Sequence, residues 1–192
     1  MTLQYRYLSV RHEAEGVVIS LLSHVLKIDL MAELSALLNS LTAKRIVITG
    51  TDGYFAAGAD IAELCALDGP KALEYARFGQ SVLNQISAHQ AVTIAAIDGY
   101  CMGGGLDLAL SCDLRYATAK SMLAHPGGRI GIMTGWGGTG RLPQIIGRTR
   151  ALEMMAVGRR LTAAEAAECG LINGVVEDPV SHALNLALYD ER

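Results

Sequence analysis

The sequence has no surplus of basic residues, no closely paired cysteines and no long apolar run. Its formal net charge of −3 argues against nucleic acid or an anionic membrane as a partner. The longest apolar runs, such as GVVISLL and AVTIAAI, are far too short to span a bilayer. The start, MTLQYRYLSVRHEAEG, lacks the charged and apolar regions of a signal peptide. We therefore expect a soluble, cytoplasmic protein.

Several kinds of site are also missing from the sequence. The four cysteines, at positions 65, 101, 112 and 169, form no C-x-x-C pair and have no spacing suited to zinc. We expect them to be reduced thiols that serve as small apolar side chains, and we expect no metal site. No P-loop, G-x-S-x-G elbow or H-E-x-x-H motif occurs.

Apolar periodicity predicts a single α/β domain over residues 1–192, with a layered sheet. The predicted strands are 5–10, 16–22, 45–50, 91–99, 113–119, 121–125 and 172–177. The predicted helices are 30–41, one that begins near Asp60, 69–88 with Leu73 and Ala76 on its apolar face, one that ends near Ser111, 143–156, 162–170 and 179–189. Asp60 with Glu63, and Thr162 with Glu165, have the spacing of capping boxes, and Gly170 is predicted to end a helix.

Two segments share one design, in which a buried strand leads through small residues into a helix. These are RIVITG…AAGAD and AVTIAAIDG…GGGLD. The first N–H groups of a helix have no partner within it and lie at the positive end of its dipole. Two such turns that converge could each donate a hydrogen bond to one developing oxyanion. For either turn alone, a tight packing joint between strand and helix is the better interpretation.

The stretch GWGGTG at 135–140 matches the dinucleotide-binding pattern G-x-G-x-x-G. That site also needs an acidic residue about 20 residues further on, where Met155 stands, and an uninterrupted helix, where Pro143 stands. An active-site loop explains the stretch better.

The segments IVITGTDGYFAAGADIAEL and AAIDGYCMGGGLDLALSCDLRYA closely resemble the two signature regions of the crotonase (enoyl-CoA hydratase/isomerase) superfamily. The later segments GWGGTGRLPQIIG and GRRLTAAEAAECGLINGVVE resemble the stretches that follow in that family. The resemblance runs from about Arg45 to Glu177 and is looser before Arg45. It implies a spiral of ββα units that binds an acyl-coenzyme A thioester, with coenzyme A as part of the substrate and no permanently bound cofactor.

The resemblance also implies roles for individual residues. The backbone N–H groups of Ala59 and Gly104 would hold the thioester oxygen. Ala57, Ala59, Asp60 and Ile61 would form the adenine pocket. Lys27 lies in the loop that usually meets the coenzyme and is a candidate phosphate partner, although a solvated lysine explains it equally well.

The sequence departs from a hydratase at both catalytic glutamates that the resemblance implies. The first falls at Asp107, which is one methylene shorter, and the second at Gly127, which has no side chain. The family's alternative acid at Gly135 and tyrosine at Thr134 are missing too. The polar candidates are therefore Asp107 and His125, with Tyr100 and Thr134 as weaker ones. In an extended segment His125 would face the same side as Gly127 and could replace the acid.

Several functions stay open at this stage. The resemblance favours an enzyme of the hydratase or isomerase type that stabilises a thioester enolate. Without the glutamates, the protein could instead be a thioester hydrolase, a C–C lyase or a non-catalytic binding subunit. The chain ends soon after the last core strand, so most of the family's C-terminal helical segment is expected to be absent. We still expect a homotrimer or a dimer of trimers.

Overall fold

The computed structural model describes residues 5–188, in which strands and helices alternate along the chain. The strands are β1 (Leu8–Glu13), β2 (Gly16–Leu21), β3 (Val25–Leu26), β4 (Arg45–Thr49), β5 (Tyr54–Ala56), β6 (Gly58–Ala59), β7 (Val92–Ile97), β8 (Tyr100–Met102), β9 (Leu114–Ala117), β10 (Met122–Ala124), β11 (Arg160–Thr162) and β12 (Gly174–Val175). The helices are α1 (Ile28–Ser40), α2 (Ile61–Cys65), α3 (Gly69–Ser87), α4 (Gly104–Ser111), α5 (Gly138–Ile146), α6 (Arg148–Leu152), α7 (Ala163–Glu168) and α8 (Pro179–Asn185).

The strands form two main sheets, and successive units of the chain contribute to both. One sheet has the order β1-β2-β4-β7-β9-β12 and is parallel except for the β1–β2 pair. The other has the order β11-β10-β8-β5, and β3 pairs with β6 separately. In each unit the first strand joins the larger sheet and the second joins a smaller one before the helix, as in β7-β8-α4. The predicted spiral of ββα units is confirmed.

The larger sheet is covered on both faces, which explains its continuous apolar strands. Along β4, Ile46 and Ile48 belong to the main core with α1 and α3, whereas Val47 belongs to a second, smaller cluster. Ala183 of α8 covers that second cluster. The buried Arg45 guanidinium donates hydrogen bonds to carbonyl groups at the end of α8. Within residues 5–188, no helix combines the length and apolarity needed to cross a bilayer.

The helix predicted over 143–156 is wrong in its bounds. The helix begins five residues earlier, as α5, and contains Pro143 in its interior. Gly147, with φ +79°, then separates α5 from α6, and a π-helical turn over Glu153–Val157 follows. The early start follows from Gly137, which caps α5 in the left-handed conformation that glycine adopts at little cost.

Other predicted details are confirmed or need correction. The capping box of Thr162 and Glu165 is formed, and Gly170 follows α7 with φ +76°. The box predicted at Asp60 is only half formed, because Glu63 accepts from the Ile28 N–H instead. The predicted inner position Leu73 is exposed.

Several strand and helix ends were also placed wrongly. The first strand begins at Leu8, three residues after its predicted start. The last core strand contains only two residues. The closing helix ends at Asn185, and residue 189 of its predicted range lies outside the described residues.

Candidate active site

The two small-residue turns come together as the sequence predicts. A Cβ on Gly104, at the start of α4, would lie 3.2 Å from the Ala59 nitrogen. A Cβ on Gly58 would lie 3.1 Å from the Gly104 nitrogen. Ala59 and Gly104 also line one cavity of about 300 Å³. The backbones therefore converge at the wall of a single site.

The three consecutive glycines each have a structural reason. Gly103 caps α4 with φ +52° and ψ −121°, a conformation open mainly to glycine. A Cβ on Gly104 would lie 2.9 Å from the Trp136 ring, and a Cβ on Gly105 would overlap the Ala56 carbonyl. Bare backbone is therefore what allows α4 to begin directly against β5, β6 and Trp136.

Asp107 and His125 form a buried hydrogen-bonded pair beside this turn. Asp107 lies in the first turn of α4, and His125 directly follows β10. Asp107 Oδ1 is 2.8 Å from His125 Nε2. Burial of the Cys101 thiol, and then the negative charge of the neighbouring Asp107, raise the pKa of that thiol and keep it protonated. The structure thus joins two residues that the sequence offered only as separate candidates.

Thr134 completes this polar group. Its hydroxyl accepts from the Trp136 N–H at 3.3 Å and donates to Asp107 Oδ2. Both carboxylate oxygens of Asp107 are thus occupied. A Cβ on Gly138, the first residue of α5, would overlap Asp107 Oδ1, so this position too must be small.

The remaining cavity wall is mainly apolar and includes a stacked aromatic pair. The Tyr75 and Trp136 rings have centroids 5.4 Å apart and an interplanar angle of 24°. Burial, and then the charges of Glu63 and Asp60, raise the pKa of Tyr75. Neither Tyr75 Oη nor Trp136 Nε1 has a hydrogen-bond partner within residues 5–188. The cavity therefore offers an apolar volume with a polar group at Asp107, His125 and Thr134.

Comparison with known proteins identifies the family. The family model described as enoyl-CoA hydratase/isomerase matches residues 20–188. The chain belongs to the enoyl-CoA hydratase/isomerase family.

Three relatives illustrate the match to this family. The chain is 44% identical to the Bacillus subtilis protein YngF, whose name includes enoyl-CoA hydratase/isomerase, over 68% of this chain and 50% of that protein. It is 40% identical to the fatty acid oxidation complex subunit alpha of Shewanella putrefaciens, over 77% of this chain and 22% of that protein. The enoyl-CoA hydratase structure from Thermoplasma volcanium matches with a TM-score of 0.88 at 31% identity, over 95% of this chain and 76% of that chain. The match to YngF thus spans about half of that relative's length.

The backbone at Gly127 adds a steric feature to the departure that the sequence resemblance implies at this position. The segment after His125 is a 3₁₀ turn, Pro126–Ile130, so the extended arrangement predicted for His125 and Gly127 is wrong. The Gly127 carbonyl accepts from the Ile132 N–H at 2.9 Å. A Cβ on Gly127 would lie only 2.5 Å from the Ile132 carbonyl oxygen. The turn therefore packs its own backbone against Gly127 and leaves no room for a side chain there.

Three of the five candidates for coenzyme contact line the cavity, whereas Asp60 and Lys27 are not among its lining residues. Ala57, Ala59 and Ile61 line it, and Ile61 is 55% exposed. Asp60 caps α2 through the Ala62 N–H, and its Oδ2 is 3.8 Å from Lys27 Nζ. The structure thus places Lys27 beside the predicted adenine-pocket residues.

Sequence reasoning placed some residues wrongly and overlooked others. Tyr100 is exposed on β8 and is not among the residues that line the cavity, whereas Thr134 is among them. The aromatic wall of Tyr75 and Trp136 was missed. One signal was available for Tyr75, because Tyr75, Gly79 and Val82 recur at helical spacing on the buried face of α3.

Proposed function

We propose that this chain binds an acyl-CoA thioester and stabilises its enolate, with chemistry of the hydratase/isomerase type. The observation that carries the proposal is the meeting of the Ala59 and Gly104 turns on the cavity that also holds Asp107 and His125. Names of relatives that include fatty acid oxidation support acyl-CoA metabolism as the setting.

The thioester oxygen would be held by the N–H groups of Ala59 and Gly104. The Gly104 N–H belongs to the first turn of α4 and has no acceptor within that helix. The helix dipole also favours negative charge at this end. Preorganised donors of this kind are worth about 3 kcal/mol each to a transition state.

The coenzyme would extend past Ala57, Asp60 and Ile61, and these residues would contact its adenine. Lys27 would contact a phosphate, since its side chain is 45% exposed and lies beside Asp60. Coenzyme A enters as part of the substrate, and the proposal includes no permanently bound cofactor.

Proton transfer would take place at one locus only, the Asp107–His125 pair. The closed turn at Gly127 supplies no second acid. A shift of a double bond between neighbouring positions of the acyl chain needs one group that removes a proton and returns it. We therefore favour isomerisation over hydration, which in hydratases uses two glutamates.

Thioester hydrolysis or C–C cleavage is the second candidate. An imidazole held by a buried carboxylate is an arrangement that activates hydroxyl groups and water in other enzymes, and this pair has that arrangement. A binding subunit without catalysis is the third outcome that the following experiment distinguishes.

The test is incubation with 2-enoyl-, 3-enoyl-, 3-oxo- and saturated acyl-CoAs, with products measured by mass spectrometry and conjugated thioester absorbance. Interconversion of 2- and 3-enoyl esters is expected. Release of free coenzyme A or a shortened acyl group would support the second candidate. Tight binding of every ester with no product would indicate a binding subunit. An Asp107→Ala/His125→Ala double variant serves as the control for background reaction.

We further propose a homotrimer or a dimer of trimers located in the cytoplasm. All four cysteines are unpaired, which fits a reducing compartment. Sedimentation at micromolar protein concentration tests the assembly, and a monomer there would contradict it.

A further inference from the structure

The two members of the acid–base pair are not equally accessible. Both residues line the cavity, but the Asp107 side chain has 0% of its surface exposed, whereas the His125 side chain has 5%. A proton-transferring group must come within hydrogen-bond reach of the substrate. Of the two side chains, only that of His125 has exposed surface.

The hydrogen bonds of Asp107 are already in use. Oδ1 is hydrogen-bonded to His125 Nε2, and Oδ2 accepts from the Thr134 hydroxyl. The Thr134 oxygen also accepts a hydrogen bond from the Trp136 N–H. The hydroxyl hydrogen of Thr134 is therefore the one that bonds the Asp107 carboxylate. On the remaining side, the backbone of Gly138 lies directly against Oδ1. Both oxygens of Asp107 are thus hydrogen-bonded within the protein.

The hydrogen bond to Asp107 favours one tautomer of His125. An ionised carboxylate only accepts hydrogen bonds, so Nε2 carries a proton when it bonds Asp107. In the neutral ring the lone pair is then on Nδ1. Among residues 5–188, no hydrogen bond engages Nδ1. In this tautomer Nδ1 has a free lone pair, while Nε2 is held by its hydrogen bond to Asp107.

We propose that His125 Nδ1 is the atom that takes and returns the substrate proton, and that Asp107 and Thr134 are positioning residues that act through His125. The inference rests on the proposed acyl-CoA function and reverses the roles expected from the motif, in which residue 107 stands where a hydratase has a catalytic glutamate.

The proposed step balances as follows. The bond between a carbon next to the thioester carbonyl and its hydrogen breaks, and the proton forms a bond to Nδ1. The electron pair forms the enolate double bond, and the negative charge develops on the thioester oxygen. The imidazolium stays paired with the Asp107 carboxylate. If the proton on Nδ1 is first replaced by one from solvent, return to the same carbon gives isotope exchange. With a 3-enoyl ester the enolate is conjugated with the double bond, and return of the proton to the γ-carbon gives the 2-enoyl isomer.

The test measures deuterium exchange at the α-carbon of butanoyl-CoA in D₂O by mass spectrometry, which needs no knowledge of the overall reaction. Binding is followed separately by the fluorescence of Trp136, the only tryptophan in the sequence. We expect His125→Ala to lower the exchange rate by about 10³-fold or more, with added imidazole restoring part of it. Asp107→Asn is expected to lower the maximal rate by about 10²- to 10⁴-fold with little change in KM.

The pair Thr134→Val and Thr134→Ser separates positioning from packing. Valine keeps the shape of threonine but lacks the hydroxyl, so Thr134→Val should lower the maximal rate about 10- to 100-fold. Serine keeps the hydroxyl and its hydrogen bond, so Thr134→Ser should keep most of the wild-type maximal rate. Equal rates in the two variants would overturn the role given to Thr134.

Two other results have distinct meanings. Exchange that persists in His125→Ala but is lost in Asp107→Asn would overturn the division of roles while leaving the proposed function intact. A wild-type protein that binds no acyl-CoA would overturn the proposed function and, with it, this inference. If Asp107→Asn does not fold, rescue of His125→Ala by imidazole still decides the case, because failure of rescue with binding intact would contradict a role for Nδ1.

Discussion

Single residues control the site through their size as much as through their chemistry. Gly138 leaves room for the Asp107 carboxylate, and Gly127 leaves room for the tight turn after His125. A side chain at either position would have to displace backbone or a buried charged group, and packed interiors resist such shifts. The backbone at Gly127 therefore has no place for a side chain.

Gly127→Glu is predicted not to create hydratase activity. Because a Cβ at this position would lie 2.5 Å from the Ile132 carbonyl oxygen, the variant should instead lose about 1–3 kcal/mol of unfolding free energy. Urea unfolding and a hydration assay with a 2-enoyl-CoA measure the two effects. Gly140→Ala is the matched control, since nothing lies within 4 Å of a Cβ there. Faster hydration by Gly127→Glu would show that the turn can open.

Tyr75→Phe is predicted to stabilise the protein. The Tyr75 hydroxyl is buried without a hydrogen-bond partner within the described range, and such a group costs about 1 kcal/mol or more. Removing it should raise the free energy of unfolding by about 1 kcal/mol while the stacking on Trp136 is kept. Tyr100→Phe, at an exposed position, should change little. A clear loss of stability in Tyr75→Phe would mean that the hydroxyl does have a partner.

At the scale of elements, the site depends on how firmly α4 is held. Its N-terminus carries Gly104 and Asp107, and its C-terminus is held by the buried Arg115, which donates to the carbonyl groups of Cys112 and Leu171. Burial lowers the pKa of Arg115 from its ordinary value, but that value is so high that the guanidinium stays charged. A cation at this end complements the helix dipole, so both ends of α4 are electrostatically satisfied.

Helix α8 offers a pH-dependent test at the same scale. Asp178 caps α8 by accepting from the Ser181 side chain and from the N–H groups of Val180 and Ser181. The bonds from Ser181 come first among the causes that lower the pKa of Asp178 below its ordinary value. Because the folded pKa is the lower one, this stabilisation is complete above the unfolded value and is lost as pH falls through the folded value.

Asp178→Ala should therefore lower the free energy of unfolding by about 1 kcal/mol at neutral pH. The difference from wild type should shrink as the pH falls through the lowered folded-state pKa of Asp178, where the carboxyl group becomes protonated. Urea unfolding at a series of pH values measures it, with Glu177→Ala as the neighbouring control. A difference that stays constant with pH would contradict the capping role of the charged form.

At the scale of the whole molecule, the ββα units bring distant parts of the chain to one cavity. Ala59, Gly104 and Thr134 belong to three successive segments, and all three line it. A ligand in that cavity contacts each segment and should stabilise the fold as a unit, because it binds the native state alone.

Butanoyl-CoA at about 100 times its Kd is predicted to raise the free energy of unfolding by about 2.7 kcal/mol. Urea unfolding at fixed protein concentration measures this, since assembly also changes apparent stability. Free coenzyme A at the same concentration should stabilise less, because it lacks the thioester oxygen. Equal stabilisation by both ligands would argue against a role for the Ala59 and Gly104 turns.

The features that the sequence predicted well are those with a local cause. Continuous apolar runs predicted β4 and β7, and small residues between strand and helix predicted the two turns and hence their candidate donors. The start of α5 and the break at Gly147 were missed, since a proline and several glycines close together allow more than one helix boundary.

By itself, the sequence determined the family, the order of ββα units and the residues that could act chemically, because these follow from patterns within short segments. Only the tertiary structure decided how those residues combine. The hydrogen bond between Asp107 and Thr134 joins residues that are 27 positions apart in the sequence. The lack of space for a side chain at Gly127 depends on the fold of the following turn. Such contacts arise from packing between segments, so no local pattern records which atoms of Asp107 and His125 are hydrogen-bonded.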